Sequence, residues 1–126
     1  MNWLLVAVGG ALGSVARYGL ARIWPAVPGE WPLATMSANL LGSFTIGAVA
    51  VLVAARGAGN DEALRLFFMT GVLGGFTTYS AFALETVTMA GEGAWLRAIG
   101  YLLATVVGCA LLAQAGRIVG TFLTEI

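Results

Sequence analysis

The chain has 126 residues, of which 60% are hydrophobic and only 10% are charged. A soluble domain usually carries about 25% charged residues, so this composition indicates an integral protein of a lipid bilayer. Six basic residues balance six acidic ones without any basic run, which argues against a nucleic-acid partner. A single Cys excludes an intrachain disulfide, and the absence of His argues against a transition-metal site.

Four apolar stretches are long enough to span a bilayer, which takes about 20 residues each. They run over residues 3–24, 31–55, 66–89 and 94–116. The connecting segments are short, including a polar, Gly-rich loop at 56–62, so we predict one four-helix transmembrane domain over residues 1–126. A unit this small is not expected to enclose an ion pathway alone, which predicts an oligomer.

The first stretch contains one charge, Arg17, well inside its apolar run. Such a residue should face protein or water, or reach back to the headgroups. The first stretch also carries the small-residue pairs Gly9/Gly13 and Gly10/Ser14, which favour close helix packing. Arg17 is therefore interpreted either as a headgroup or structural contact, or as a residue at the mouth of a pathway.

In the second stretch Thr35 and Asn39 lie four residues apart and share one helix face. An amide in a membrane helix needs a partner, and interhelical hydrogen bonds of this kind contribute about 0.6 kcal/mol on average. Asn39 therefore either joins two helices or lines a pathway, and both interpretations stay open.

The third stretch contains Gly-Val-Leu-Gly-Gly-Phe-Thr-Thr-Tyr-Ser-Ala-Phe at residues 71–82. Two adjacent glycines weaken a helix by about 1 kcal/mol each relative to Ala, and the hydroxyl side chains that follow compete for backbone hydrogen bonds. These residues are Gly74, Gly75, Thr77, Thr78 and Ser80. In lipid, irregular backbone is tolerated only where it is buried in protein or lines a hydrated cavity. We therefore predict a helix broken at mid-membrane, and a functional site at the break.

After the break, Tyr79 and Phe82 are three residues apart and should project on one face. Such a pair is more often packing, but an aromatic ring has a positive edge that can help to solvate a small anion. Glu85 is the one acidic group within a span. It is expected either to pair with Arg17, of the same or a neighbouring subunit, or to mark a vestibule.

The fourth stretch carries a narrow polar stripe of Tyr101, Thr105 and Cys109, spaced every four residues. Together with Thr35 and Asn39 it supplies hydroxyl and amide donors without fixed charge, which suit an anion that must bind and also leave. The sequence contains no Ser/His/Asp set, no phosphate-binding loop and no carboxylate pair within a span. We therefore expect no enzyme activity.

With four crossings, the arginines divide equally between the two sides of the membrane. One side holds Arg56, Arg65 and Arg117, and the other holds Arg22, Arg97 and, at its margin, Arg17. An excess of Lys and Arg on one side of the spans sets the orientation in which a membrane protein inserts. Because the two sides carry equal numbers, this chain has no strong bias towards one orientation. Either the first segment alone sets the orientation, or copies insert both ways and pair antiparallel.

Three blocks of sequence resemble the Fluc/CrcB fluoride channel family. They are Gly-Gly-Ala-Leu-Gly-Ser-Val-Ala-Arg-Tyr at 9–18, Asn-Leu-Leu-Gly-Ser-Phe at 39–44 and the third-stretch motif at 71–82. The last resembles the family pattern Gly-x-x-Gly-Gly-x-Thr-Thr-Phe-Ser-x-Phe. The resemblance implies a passive channel of the bacterial inner membrane that exports cytoplasmic fluoride through two pores of an antiparallel, dual-topology homodimer.

The resemblance also implies roles for individual residues. Tyr79 and Phe82 match two pore-lining phenylalanines, and Asn39 matches a pore asparagine. The remaining pathway residues would be Thr35, Ser80, Tyr101, Thr105 and Cys109, with Arg17 and Glu85 in structural or vestibule positions. A structural sodium ion at the dimer centre would lie on the main-chain carbonyls of Gly74 and Thr77.

The chain departs from the family pattern at two positions. Tyr79 replaces the first phenylalanine and adds a hydroxyl, and Ala81 stands where many relatives have Thr or Ser. The main alternative is a small dual-topology multidrug or cation transporter. That class needs a carboxylate in its first helix, and the first stretch here has none. A non-conducting accessory subunit would explain the small-residue faces but not the hydroxyl-rich break.

Overall fold

The computed structural model describes residues 1–56 and 61–126. The described residues form helices and no strand. The helices are α1 (Asn2–Ile23), α2 (Leu33–Ala54), α3 (Asp61–Leu64), a π-helix (Arg65–Leu73), α4 (Gly74–Phe76), α5 (Tyr79–Gly91) and α6 (Trp95–Glu125). Four helical segments are long and apolar enough to cross a membrane, which confirms the predicted four-span, all-α membrane fold.

Two of the spans are longer than predicted. The third runs over Glu62–Gly91, and the fourth continues to Glu125, nine residues beyond the predicted end at position 116. Apolar composition locates only the part of a helix inside the hydrocarbon. The last turns of α6, from Arg117 to Glu125, continue as helix, with the Thr121 hydroxyl donating to the Arg117 carbonyl. The predicted loop at 56–62 falls partly on residues 57–60, outside the described residues, and its last two positions belong to α3.

The first and third spans run parallel and touch through their backbones. A side chain added at Gly9 would meet the Phe67 carbonyl, and one added at Gly13 would meet that of Val72. The packing therefore requires glycine at both positions, as the predicted Gly9/Gly13 pair implies.

The second and fourth spans form the other parallel pair and the most extensive helix contact in the described chain. Gly116 of α6 lies against the Phe44 carbonyl, and Gly120 lies against that of Ala48. Because the helices approach to backbone contact, dispersion forces can hold them together without any hydrophobic drive from water.

The third span is broken between α4 and α5, as predicted. Thr77 and Thr78 have extended backbones, with φ/ψ of −83°/157° and −151°/117°. The π-helix that precedes α4 extends over nine residues, and nothing in the sequence indicates it. π-Helices are rare, and most are single-turn bulges within α-helices that are frequent at functional sites.

One cluster of buried side chains lies on α5 and α6, beside the start of α2. Phe82, Met89, Ala98 and Tyr101 are its buried members, and Trp31 packs against them. Phe82 lies four residues after the break, so this cluster fixes α5, and with it one side of the break, against α6.

Candidate functional site

Asn39 holds the break through the backbone of a single residue. Its Oδ1 accepts the Thr78 amide N–H at 2.8 Å, and its Nδ2 donates to the Thr78 carbonyl at 3.0 Å. The side-chain amide thus forms the same pair of hydrogen bonds with the Thr78 backbone that a residue of a neighbouring β-strand would form. Of the two predicted roles for Asn39, the interhelical hydrogen bond is formed, and one Nδ2 hydrogen is left for another acceptor.

The hydroxyls of the two threonines stabilise the helix ends on either side. Thr77 donates its hydroxyl to the Leu73 carbonyl at 2.8 Å, within the helix before the break. Thr78 is the N-cap of α5, and its hydroxyl accepts the Ala81 amide at 3.2 Å. The break therefore has a defined geometry, because side chains replace the missing helical hydrogen bonds.

The backbone carbonyls of Gly74 and Thr77 accept no hydrogen bond from the described part of the chain. In a continuous helix they would accept the amides of Thr78 and Ala81. Those amides bond instead to Asn39 and to the Thr78 hydroxyl. Two free carbonyl oxygens at one break are suitable ligands for a hard cation such as sodium.

Glu85 lies between two hydroxyl donors. Thr35 donates to its Oε1 and Tyr101 to its Oε2, each at 2.7 Å. Arg17 instead donates its Nε–H to the Gly75 carbonyl at 3.1 Å. Glu85 and Arg17 thus belong to different clusters within one chain, and a pairing between neighbouring subunits stays a prediction.

A groove of about 440 Å³ runs past the break between α2, the third span and α6. Its lining combines hydroxyl, amide and carbonyl groups with apolar side chains. Among the lining residues are Asn39, Ser43, Gly74, Thr77, Thr78, Tyr79, Phe82, Thr105 and Cys109.

Thr105 is the most informative residue of this groove. It is only 3% exposed, and within the described residues its hydroxyl has no hydrogen-bond partner. A buried hydroxyl without a partner costs about 1–3 kcal/mol. An unmet donor that lines a groove can donate a hydrogen bond to a water molecule or a small anion that enters the groove.

Three aromatic rings form a row from the groove into the buried cluster. Tyr79 and Phe82 meet edge to face with ring centroids 5.7 Å apart, and Phe82 and Tyr101 are 5.3 Å apart. Phe82 is 4% exposed, whereas Tyr79 is 79% exposed and protrudes from the chain. The exposed ring is available to a neighbouring molecule.

The structure brings together most, but not all, of the predicted site. Asn39, Tyr79, Phe82, Thr105 and Cys109 share the groove with the carbonyl-bearing Gly74 and Thr77. Three other predicted residues form the Glu85 cluster, namely Thr35, Glu85 and Tyr101. Ser80 is exposed, with its hydroxyl 3.4 Å from that of Thr78.

A separate cleft of about 310 Å³ lies between α1 and α2 on the other side of the break. Arg17 lines it together with Thr35 and Thr78. Thr78, which lines both cavities, is the functional candidate that sequence reasoning left without a role. Its position three residues after the glycine pair and directly before a helical segment is the N-cap signal that could have identified it.

Comparisons with known proteins identify a family that the chain matches over most of its length. Residues 4–117 match the family model described as CrcB-like protein, Camphor Resistance (CrcB). A protein of Paracoccus denitrificans named fluoride-specific ion channel FluC is 45% identical over 119 residues, covering 94% of both chains. The FluC of Opitutus terrae is 41% identical over 126 residues, with 98% of this chain and 96% of the relative covered.

Proposed function

This chain belongs to the CrcB-like family, and we propose that it is a passive, fluoride-selective channel. Fluoride would move down its electrochemical gradient out of the cytoplasm of a bacterial cell. Four spans suited to a bilayer and relatives named as fluoride-specific ion channels support the proposal. As an ion channel it catalyses no covalent chemistry.

The unpartnered Thr105 hydroxyl is the observation that carries this function. It is buried in the same groove as the Asn39 amide, the Phe82 ring and the Cys109 thiol. A small anion entering the groove would accept a hydrogen bond from Thr105 and from the free Nδ2 hydrogen of Asn39, beside the ring edge of Phe82. These donors are neutral, so the anion can replace part of its water shell without being trapped by a fixed charge.

We propose an antiparallel homodimer as the conducting form, with one pore on each side of the contact. Tyr79 protrudes from the single chain, and the groove beside it is open. A second copy could cover the groove and place its own residues against the pathway. The equal division of arginines supports insertion in both orientations. A C2 pair would present each groove to the same surface of its partner.

We further propose a sodium ion at the centre of that dimer. Its ligands would be the free carbonyl oxygens of Gly74 and Thr77 from both subunits, whose neutral oxygens suit a hard cation. The ion would be structural, because it would join two backbone breaks that no helical hydrogen bond closes.

Liposomes that contain the purified protein test the function directly. We expect them to release fluoride much faster than chloride when each is measured with an ion-selective electrode, and protein-free liposomes to release neither. Equal release of both halides would contradict the selectivity.

The alternative function, a small multidrug or cation transporter, predicts a different result in the same vesicles. It requires proton-coupled uptake of an organic cation and no fluoride release. The carboxylate such a transporter needs is missing from α1, and Glu85 is engaged by two hydroxyls. Both observations favour the channel.

A further inference from the structure

The break in the third span redistributes backbone hydrogen bonds among four consecutive residues. In an unbroken helix, the carbonyls of residues 74–77 would accept the amides of residues 78–81. With extended backbone at Thr77 and Thr78 those bonds are lost. The Gly75 carbonyl differs from those of Gly74, Phe76 and Thr77, because it alone within the described chain receives a replacement donor, the Nε–H of Arg17 at 3.1 Å.

The surroundings of Gly75 leave little space for a side chain at this position. Its α-carbon faces the backbone of α1, where an added side chain would meet the carbonyl of Gly10 and the amide of Ser14. Arg17 follows Ser14 by one turn and reaches over this contact. Arg17 is half-buried, although a charge at this depth is costly unless it is paired or reaches water.

We propose that Arg17 is a positioning residue that acts through the Gly75 carbonyl. By occupying this one carbonyl it fixes the end of α4 against α1. The carbonyls of Gly74 and Thr77 are then the ones left free beside the groove, and Asn39 can pair with Thr78 at a fixed place. Arg17 thus sets the geometry of the break, and the hydrogen bond at Nε is the feature that matters. This inference rests on the proposed channel function.

Substitutions at position 17 separate the hydrogen bond from the charge. The Nε2 of Gln lies at the same place along the side chain as the Nε of Arg, so Arg17→Gln keeps a donor for Gly75 without the charge. Arg17→Met places a methyl group there and keeps neither. Arg17→Lys keeps the charge but moves its donor one atom further from the backbone.

Fluoride release from proteoliposomes measures how each substitution at position 17 changes conduction. We expect Arg17→Gln to stay within about twofold of the wild type, and Arg17→Met to be at least about tenfold slower, which corresponds to the loss of one hydrogen bond. Arg22→Gln removes an exposed charge from the same helix and the same side of the membrane, so it is the matched control for charge and insertion, and its purified dimer should conduct normally. Normal conduction by Arg17→Met would overturn the proposal. So would normal conduction by Arg17→Lys with loss in Arg17→Gln, because the charge would then be the active feature.

A second measurement does not depend on conduction. Gly75–Phe76 is the only Gly-Phe pair in the sequence, so ¹³C-carbonyl Gly with ¹⁵N-Phe labels this one carbonyl for solid-state NMR in lipid. Its ¹³C shift should move in Arg17→Met and stay close to the wild-type value in Arg17→Gln. An unchanged shift in Arg17→Met would refute the hydrogen bond. If wild-type vesicles released no fluoride, the channel function would fail while this measurement still tested the contact.

Discussion

At the scale of single residues, Thr105 gives the most direct test of the pathway. Thr105→Val keeps the shape of the side chain and removes the unpartnered hydroxyl. We expect fluoride release to slow by about tenfold, the effect of one lost hydrogen bond, while thermal stability in detergent stays the same or rises. Thr121→Val is the control, because that residue is exposed on the same helix. A slowing of equal size in both variants would show that the groove is not the pathway.

Glu85 provides a second test at this scale. The carboxylate accepts from Thr35 and Tyr101, one donor at each oxygen. Glu85→Gln leaves one acceptor oxygen for two donors. We expect a loss of about 1–3 kcal/mol in unfolding free energy, the cost of a buried donor left without a partner. Glu92→Gln, at an exposed position, should unfold like the wild type. Equal stability of both variants would mean that the cluster does not contribute to the fold.

The sequence identified the candidate site residues more completely than it identified their hydrogen-bond partners. An amide within a span must find a hydrogen bond, and Asn39 does so at Thr78, which is 39 positions away in the chain. Spacing within one helix contains no information about such a distant partner. Spacing also did not predict that the residues of the polar stripe on α6 would have different surroundings. Thr105 and Cys109 line the groove, whereas the Tyr101 hydroxyl donates to Glu85.

At the scale of helices, the contact between α1 and the third span depends on glycines, which have no side chain to keep the backbones apart. An added side chain at Gly13 would overlap the Val72 carbonyl, whereas one at Gly10 would meet nothing within 4 Å. We expect Gly13→Ala to lower unfolding free energy by about 1–3 kcal/mol, the usual cost of overpacking. Gly10→Ala should be neutral or stabilising by up to about 1 kcal/mol, because Ala favours a helix. Thermal unfolding in detergent compares the two, and equal stability would contradict the packing.

The predictable part of the fold was the part determined locally. Apolar length located four spans, and the glycine pair followed by hydroxyls located the break. The π-helix over Arg65–Leu73 was not predictable, because its residues also suit an α-helix. It lies where the third span packs along α1, and Gly9 and Gly71 bring the two backbones together there. The extension of α6 to Glu125 was missed because Gly116 and the charge of Arg117 end the apolar run without ending the helix.

At the scale of the whole molecule, the arginine distribution makes orientation testable. A C-terminal green fluorescent protein reports copies with a cytoplasmic C-terminus, and alkaline phosphatase reports the opposite orientation. We expect both signals from the wild type. Arg22→Gln leaves two arginines against three, so it should shift the population towards the cytoplasmic C-terminus. Glu30→Gln, on the loop that follows α1, should change little because acidic residues contribute weakly. A wild type with one signal only would exclude dual topology.

The open groove also has a consequence for how the protein matures. In a single copy the Thr105 hydroxyl and the carbonyls of Gly74 and Thr77 lack partners within the described chain. In hydrocarbon each such group costs several kcal/mol. In the proposed homodimer, a newly inserted subunit would complete its folding only on meeting another copy, so pairing would be the last step of folding. Its apparent stability should rise with the protein-to-lipid ratio, because association and folding share one equilibrium.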